Sequence, residues 1–243
     1  MKIALIGYGK MGREIEKILL QRNHSIDIII DKENISEFDS FEFRSAEVAI
    51  EFTGPQSAAA NILKCFDANI PVVTGSTGWH HQLEYISVIC LEKKQSLFYA
   101  SNFSPGVNIL FEVNRHLSEI MNHFSDYNVV IEEIHHVHKL DSPSGTAITL
   151  ANDIVMNLER KNGWVNNLPV KDNEVFIRSV RENEITGEHT IKYDSSVDCI
   201  EIKHSAKSRK GFALGAVMAA EFLAGKKGIY TMKDLLKFSG FTK

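Results

Sequence analysis

Six residues near the start of the chain restrict its fold more than any other stretch. Gly7-Tyr8-Gly9-Lys10-Met11-Gly12 follows a short apolar strand over 2–6 and opens a helix over 13–22, in which Ile15, Ile18 and Leu19 share a face. Strand, G-x-G-x-x-G turn and helix in that order form the dinucleotide fingerprint. Gly7 permits the tight turn, Gly9 lets the backbone approach a pyrophosphate, and Gly12 allows close helix–strand packing. The first helical N–H groups then face phosphate. Tyr8, Lys10 and Met11 ride on the same loop and are expected beside the cofactor.

The next strand, over 25–30, ends in Asp31-Lys32. An acid about 20 residues past the last glycine accepts hydrogen bonds from the adenosine ribose and favours NADH. Lys32 either pairs with a 2′-phosphate, so that NADPH is tolerated, or is a solvated surface lysine. Further strands over 48–52, 71–74 and 96–100 alternate with helices over 57–66 and about 79–93. This βαβ series predicts a doubly wound parallel sheet, a Rossmann nucleotide domain. Ligands of such sheets lie past the C-terminal strand ends. The turns Thr53-Gly54, Gly75-Ser76-Thr77 and Ser101-Asn102-Phe103-Ser104 are therefore cofactor candidates.

After a helix over 105–121, a β-branched strand over 127–134 runs into His135-His136-Val137-His138-Lys139. A turn, Asp141-Ser142-Pro143, and the step Ser144-Gly145-Thr146 open a helix over 144–158. Strands over 176–180, 188–193 and 197–204 follow without an intervening helix. They predict an α+β domain with a largely antiparallel sheet, whose open face suits a homo-oligomer contact. The basic run 205–210 reads as a surface turn. A small-residue helix over 211–223 and a short one over 232–238 are expected to pack on the first domain. The divisions are 1–103 for the nucleotide, 104–212 for substrate and oligomerisation, and 213–243 for the returning helices.

Three imidazoles and an ammonium in five residues admit three chemistries. Metal binding is disfavoured, because the Lys139 charge repels a divalent cation and an extended strand would alternate the histidines between faces. Purely structural histidines are the plain alternative. An anion pocket remains: Lys139, the Ser144 and Thr146 hydroxyls, and free N–H groups at Gly145, each charge-assisted bond contributing roughly 1.5–3 kcal/mol. His135 or Lys139 is then the proton donor. No metal is expected.

Composition removes other classes. The 243 residues are 44% hydrophobic and 24% charged, ordinary for a globular chain. No apolar run is long enough for a membrane span, and the apolar start is too short for a signal peptide. A net charge of −4 argues against nucleic acid. Cys65, Cys90 and Cys199 read as reduced thiols of a cytoplasmic protein. None has a nucleophile context, which disfavours a semialdehyde dehydrogenase on this frame. A nucleotide-sensing regulator would not need the His-Lys-Ser-Gly-Thr group.

The block Glu133-Ile134-His135-His136-Val137-His138-Lys139-Leu140-Asp141-Ser142-Pro143-Ser144-Gly145-Thr146-Ala147 resembles that of the 4-hydroxy-tetrahydrodipicolinate reductase family, as do Gly7 to Gly12, Gly75-Ser76-Thr77-Gly78, Ser101 to Val107 and Gly187-Glu188-His189. The resemblance covers essentially the whole chain. It implies NADH- or NADPH-dependent reduction of a small cyclic dicarboxylate with loss of water, in the diaminopimelate route to lysine. It also implies a homotetramer joined through the substrate-domain sheet. By position, His135 matches the family's catalytic histidine and Lys139 its proton-donating lysine. His136, Lys139, Ser144, Gly145 and Thr146 match its substrate contacts. Gly7 to Gly12, Asp31, Gly75, Ser76, Thr77 and Ser101 to Ser104 match its cofactor contacts. Ser76, Val137 and Ser142 depart from the commoner Thr, Arg and Ala without removing a reacting group.

Overall fold

The computed structural model describes residues 1–237 and divides into two units, Met1–Pro105 with the chain from Arg209 onward, and Gly106–Ser208. The first unit contains β1 (Lys2–Ile6), α1 (Lys10–Gln21), β2 (Ser25–Ile30), α2 (Phe41–Arg44), β3 (Val48–Glu51), α3 (Ala58–Asp67), β4 (Val72–Thr74), α4 (Leu83–Glu92) and β5 (Ser96–Tyr99). The second runs through α5 (Pro105–Ile120), β6 (Asn128–His135), α6 (Gly145–Asn157), β7 (Gly163–Val165), β8 (Glu174–Arg181), β9 (Glu188–Asp194) and β10 (Cys199–Ser205). The chain then adds α7 (Lys210–Leu223), β11 (Gly228–Tyr230) and α8 (Met232–Leu236) to the first unit. The end of the helix expected over 232–238, and positions 238–243 of the expected C-terminal division, lie outside the described residues.

Alternation along β1 explains why helices cover both faces of the first sheet. Ala4 and Ile6 join the cluster that holds Ile62 and Phe66 of α3. Ile3 and Leu5 join the other, with Ile15 and Leu19 of α1 and Ala216, Val217 and Ala220 of α7. The strand order is β11-β5-β4-β3-β1-β2, every pair parallel. This is the doubly wound sheet the βαβ series predicts, with one addition: β11 pairs with β5 and forms an edge. Its three residues, Gly228-Ile229-Tyr230, carry too little pattern to announce a strand. The stretch after Asp31 also has structure of its own. Phe38 and Phe43 are buried edge to face with ring centroids 5.0 Å apart, and Ser40 caps α2 by accepting from the Phe43 N–H at 3.1 Å.

The second sheet has the order β10-β9-β6-β8-β7. It is mixed rather than largely antiparallel: β10–β9 and β9–β6 are antiparallel, but β6–β8 and β8–β7 are parallel. The helix α6 between β6 and β7 is the crossover that parallel neighbours need. The short strand β7, unseen in the sequence, is held beside Lys161. That buried ammonium donates to Asn128 Oδ1 at 2.8 Å and to the carbonyls of Asp172 and Glu174 at 2.7 and 2.9 Å. Along β6, Val129, Ile131, Glu133 and His135 all turn to the buried face, where Leu150, Ala151 and Ile154 of α6 pack. Cys65 and Cys90 are buried; Cys199, on the edge strand β10, is exposed.

Candidate active site

In the first unit the candidate cofactor residues gather at the C-terminal ends of adjacent strands. Gly7 has φ +94°, and a Cβ there would lie 2.3 Å from the Phe52 carbonyl oxygen. A Cβ on Gly12 would meet the Gly7 oxygen at 2.2 Å, so helix α1 closes directly on the turn. Gly9 differs. Nothing lies within 4 Å of its would-be Cβ, and it forms the N-terminus of α1 with no side-chain cap and no acid in the first turn. The open N–H groups of that turn and the uncrowded glycine above them fit a pyrophosphate.

Glu51 organises the neighbouring turns. Fully buried at the end of β3, it accepts from Thr53 N at 3.1 Å, Ser76 Oγ at 3.1 Å and Thr74 Oγ1 at 2.5 Å, and from the Thr53 hydroxyl. Ser76 Oγ in turn accepts from Thr53 N at 2.8 Å. The Phe52 ring covers Gly75, where a Cβ would fall 2.2 Å from it. In the last turn, Asn102 Oδ1 accepts from Ser104 N at 2.9 Å, and Phe103 is buried against Phe52 and Phe98. A Cβ on Gly215 would lie 1.7 Å from the Phe103 oxygen, so α7 packs directly on this turn. Tyr8 donates to Glu16 at 2.5 Å, and Thr77, Lys10 and Ser101 are exposed. Asp31 and Lys32 are exposed at the end of β2, where Asn34 Oδ1 accepts from Asp31 N at 2.7 Å.

In the second unit the ladder brings a carboxylate and two imidazoles together. Register sets Glu133 opposite His189 on β9 and Ser179 on β8. Glu133 is fully buried. Its Oε1 accepts from Ser144 N at 3.0 Å and from Arg181 Nη2 at 3.2 Å. Its Oε2 lies 3.2 Å from His135 Nδ1 and 3.8 Å from His189 Nε2. His189 Nε2 is 3.2 Å from Ser144 Oγ, which also accepts from Ala147 N at 3.2 Å as the cap of α6. Arg181 donates its second bond from Nη2 to the Asp141 carbonyl at 2.5 Å. Strand end, turn and helix start are thus tied to one carboxylate.

The charges follow. Burial alone would raise the Glu133 pKa, but the polar neighbours His135, Ser144 and Ser179, with the Ser144 N–H, outweigh it and hold the group well below the usual carboxylate range. Burial, reinforced by His135, pushes His189 down to about 3 and keeps it neutral. Glu133, His135 and His189 also have the donor set of a metal centre, with one ligand atom each inside 4.8 Å of the others. The Arg181 guanidinium on the same carboxylate already supplies the positive charge, so the set fits a proton network better than a cation.

Lys139 extends from the turn with its ammonium 2.8 Å from Asp141 Oδ1, and its N–H donates to the His136 carbonyl at 3.1 Å. His136 is half-buried with its ring 5.9 Å from that of His138, which is exposed and paired with Glu184 at 2.9 Å. Gly145 begins α6 with nothing within 4 Å of a would-be Cβ, and Thr146 follows it. Sequence reasoning missed Glu133, His189, Arg181 and Gly187 as parts of the site. The last leaves room for an imidazole: a Cβ on Gly187 would stand 3.0 Å from His135 Nε2.

Comparison with known proteins covers nearly the whole chain. The model for the N-terminus of dihydrodipicolinate reductase matches residues 1–103, and that for its C-terminus matches residues 106–236. A 4-hydroxy-tetrahydrodipicolinate reductase of Christiangramia forsetii is 50% identical over 236 residues, covering 97% of this chain and 98% of the relative. One from Thermosipho africanus is 36% identical over 239 residues, covering 98% of each. The fold is also similar to that of dipicolinate-bound dihydrodipicolinate reductase from Paenisporosarcina sp. TG-14, with a TM-score of 0.76 at 23% identity over 95% of this chain and 97% of that one.

Proposed function

Because this chain belongs to the dihydrodipicolinate reductase family, we propose that it carries out the family's reaction with the His135–Lys139 strand end and the start of α6 as its catalytic and substrate-binding groups. The protein is an NAD(P)H-dependent oxidoreductase of lysine and diaminopimelate biosynthesis. It converts 4-hydroxy-tetrahydrodipicolinate to tetrahydrodipicolinate with loss of water. The observation that supports the assignment is the Glu133 bracket, which ties a histidine-bearing strand end to the N-terminus of α6.

Reduced nicotinamide, when bound, supplies the hydride, which goes to C4 of the ring. Gly7, Gly9 and Gly12 with the first N–H groups of α1 hold the pyrophosphate, and Tyr8, Lys10 and Met11 flank it. Asp31 and Lys32 meet the adenosine ribose. Gly75, Ser76, Thr77 and Ser101 to Ser104 border the nicotinamide end. The substrate's two carboxylates take Lys139, His136, the Ser144 and Thr146 hydroxyls and the N–H groups at Gly145 and Thr146. Positive charge there withdraws electron density from the ring and favours hydride addition. His135 or Lys139 delivers the proton that completes reduction.

Purified protein is expected to oxidise NADH or NADPH when the condensation product of pyruvate and aspartate semialdehyde is added. Nucleotide binding without oxidation would point instead to a sensor. Gly187→Ala is expected to crowd His135 Nε2 and lower kcat about tenfold, with the KM for NADH within about twofold of wild type. An unchanged kcat in a folded variant removes His135 Nε2 from the reaction.

The finer reading of partners is a small cyclic dicarboxylate substrate and a cytoplasmic homotetramer. The largely exposed strand β10 at the sheet edge supports the assembly, and light-scattering mass tests it. Among the described residues no helix is long and apolar enough to cross a membrane.

A further inference from the structure

Two imidazoles share one carboxylate oxygen in the second unit, and their surroundings differ. His135 presents Nδ1 to Glu133 Oε2 at 3.2 Å, off the line of a full hydrogen bond. Among the described residues neither atom has a hydrogen-bond partner at closer range. A buried acceptor and a buried ring nitrogen that have only each other are satisfied when the proton lies on that nitrogen. His189 is turned the other way. Its Nε2 lies 3.2 Å from Ser144 Oγ, with Glu133 Oε2 3.8 Å away, while its Nδ1 is buried without a partner. A bare, unprotonated Nδ1 costs less there than an unsatisfied N–H.

We propose that Glu133 is a positioning residue of the reductase that holds the two imidazoles in opposite tautomers, His135 protonated at Nδ1 and His189 protonated at Nε2. The proposal rests on the reading of His135 as a reacting group. Two consequences follow. His135 turns Nε2, the nitrogen that faces the space left by Gly187, toward chemistry; bare in the neutral ring, that nitrogen gives a proton only after the ring has taken up a second one. Ser144 Oγ accepts from both Ala147 N–H and His189 Nε2–H, so its lone pairs are occupied and its own hydrogen can only be given away. The hydroxyl therefore becomes an obligate donor, which suits a carboxylate and rejects a donor group. Depression of the Glu133 pKa agrees with a carboxylate that stays ionised beneath both rings. The other groups around the pair are Arg181 on β8, His204 on β10 and Lys139 beyond the strand end.

Nitrogen-15 correlation spectra of the histidine rings test this in the unmutated protein at neutral pH. Resonances are assigned by their loss in His135→Gln and His189→Gln. The expected result is one neutral ring protonated at Nδ1, assigned to His135, and one protonated at Nε2, assigned to His189. Finding the same tautomer in both rings overturns the proposal, whether or not any Glu133 variant folds. Glu133→Gln keeps the shape and removes the charge. It is expected to move His135 toward the Nε2–H form and to lower kcat at least tenfold, leaving the KM for NADH within twofold. If Glu133→Gln retains wild-type kcat and tautomers while His135→Ala is inactive, Glu133 has no positioning role. If His135→Ala is itself fully active, the reading of the reacting groups fails, and the tautomer pattern in the spectra still reports on the bracket separately.

Discussion

His135→Ala is expected to lower kcat by about 10²–10⁴-fold, with the KM for NADH nearly unchanged. The reason is the division of labour between the units. The residues proposed to hold the cofactor belong to strand ends of the first unit, and His135 to β6 of the second. Removing a proton donor raises the chemical barrier by roughly 3–5 kcal/mol and leaves pyrophosphate contacts untouched. Lys139→Ala is expected to show a mixed effect, a lower kcat and a higher substrate KM, from the proposed double role of its ammonium in binding a carboxylate and polarising the ring. Steady-state kinetics with each reactant varied separates the two. If both variants retain turnover within about twofold, the assignment of the reacting groups is wrong.

The second large effect is acid sensitivity. His189 is kept neutral in the folded chain, with its pKa near 3, whereas an unfolded histidine takes a proton near 6.5. Between those values the unfolded chain binds more protons, so stability falls as pH falls. The contribution is fully present above about 6.5 and is lost progressively toward about 3, at about 1.4 kcal/mol per pH unit. Glu133 has the same sign in a lower window: its stabilisation is present above the ordinary carboxylate value and is lost below it. Urea unfolding at a series of pH values between about 7 and about 5 measures the slope. His189→Gln cannot take up that proton and is expected to flatten the slope by about one proton's worth. An equal slope in wild type and variant means that His189 is protonated in the folded protein.

Much of this was legible in the sequence, for identifiable reasons. Gly7 to Gly12 is a local motif whose meaning depends on the strand and helix that flank it, and both flanks carry strong periodicity. Glu133 was passed over for the opposite reason. Two positions before His135, it shares that residue's face of the strand, so its burial follows from alternation alone. In the sequence it was only the first residue of the histidine block and carried no role of its own. Its partner His189 lies far along the chain and meets it only through strand register. Gly187 marks a turn in the sequence, but the ring it makes room for is His135, which only the fold brings close. The mixed sheet was also within reach, because the helix over 144–158 is a crossover, but the helix-free run of later strands outweighed it. The strands β7 and β11 have three residues each, too few for periodicity to register.

The returning strand β11 has a consequence for how the molecule is made. One unit is contiguous, 106–208, and the other is assembled from residues before 105 and after 209. On a ribosome the contiguous unit has all its sequence while the other still lacks α7 and an edge of its sheet. Until α7 emerges, Ile3, Leu5, Ile15 and Leu19 are without the apolar face that covers them in the finished protein. Nucleotide affinity should therefore arise late in synthesis, after the residues proposed to hold the substrate have already folded.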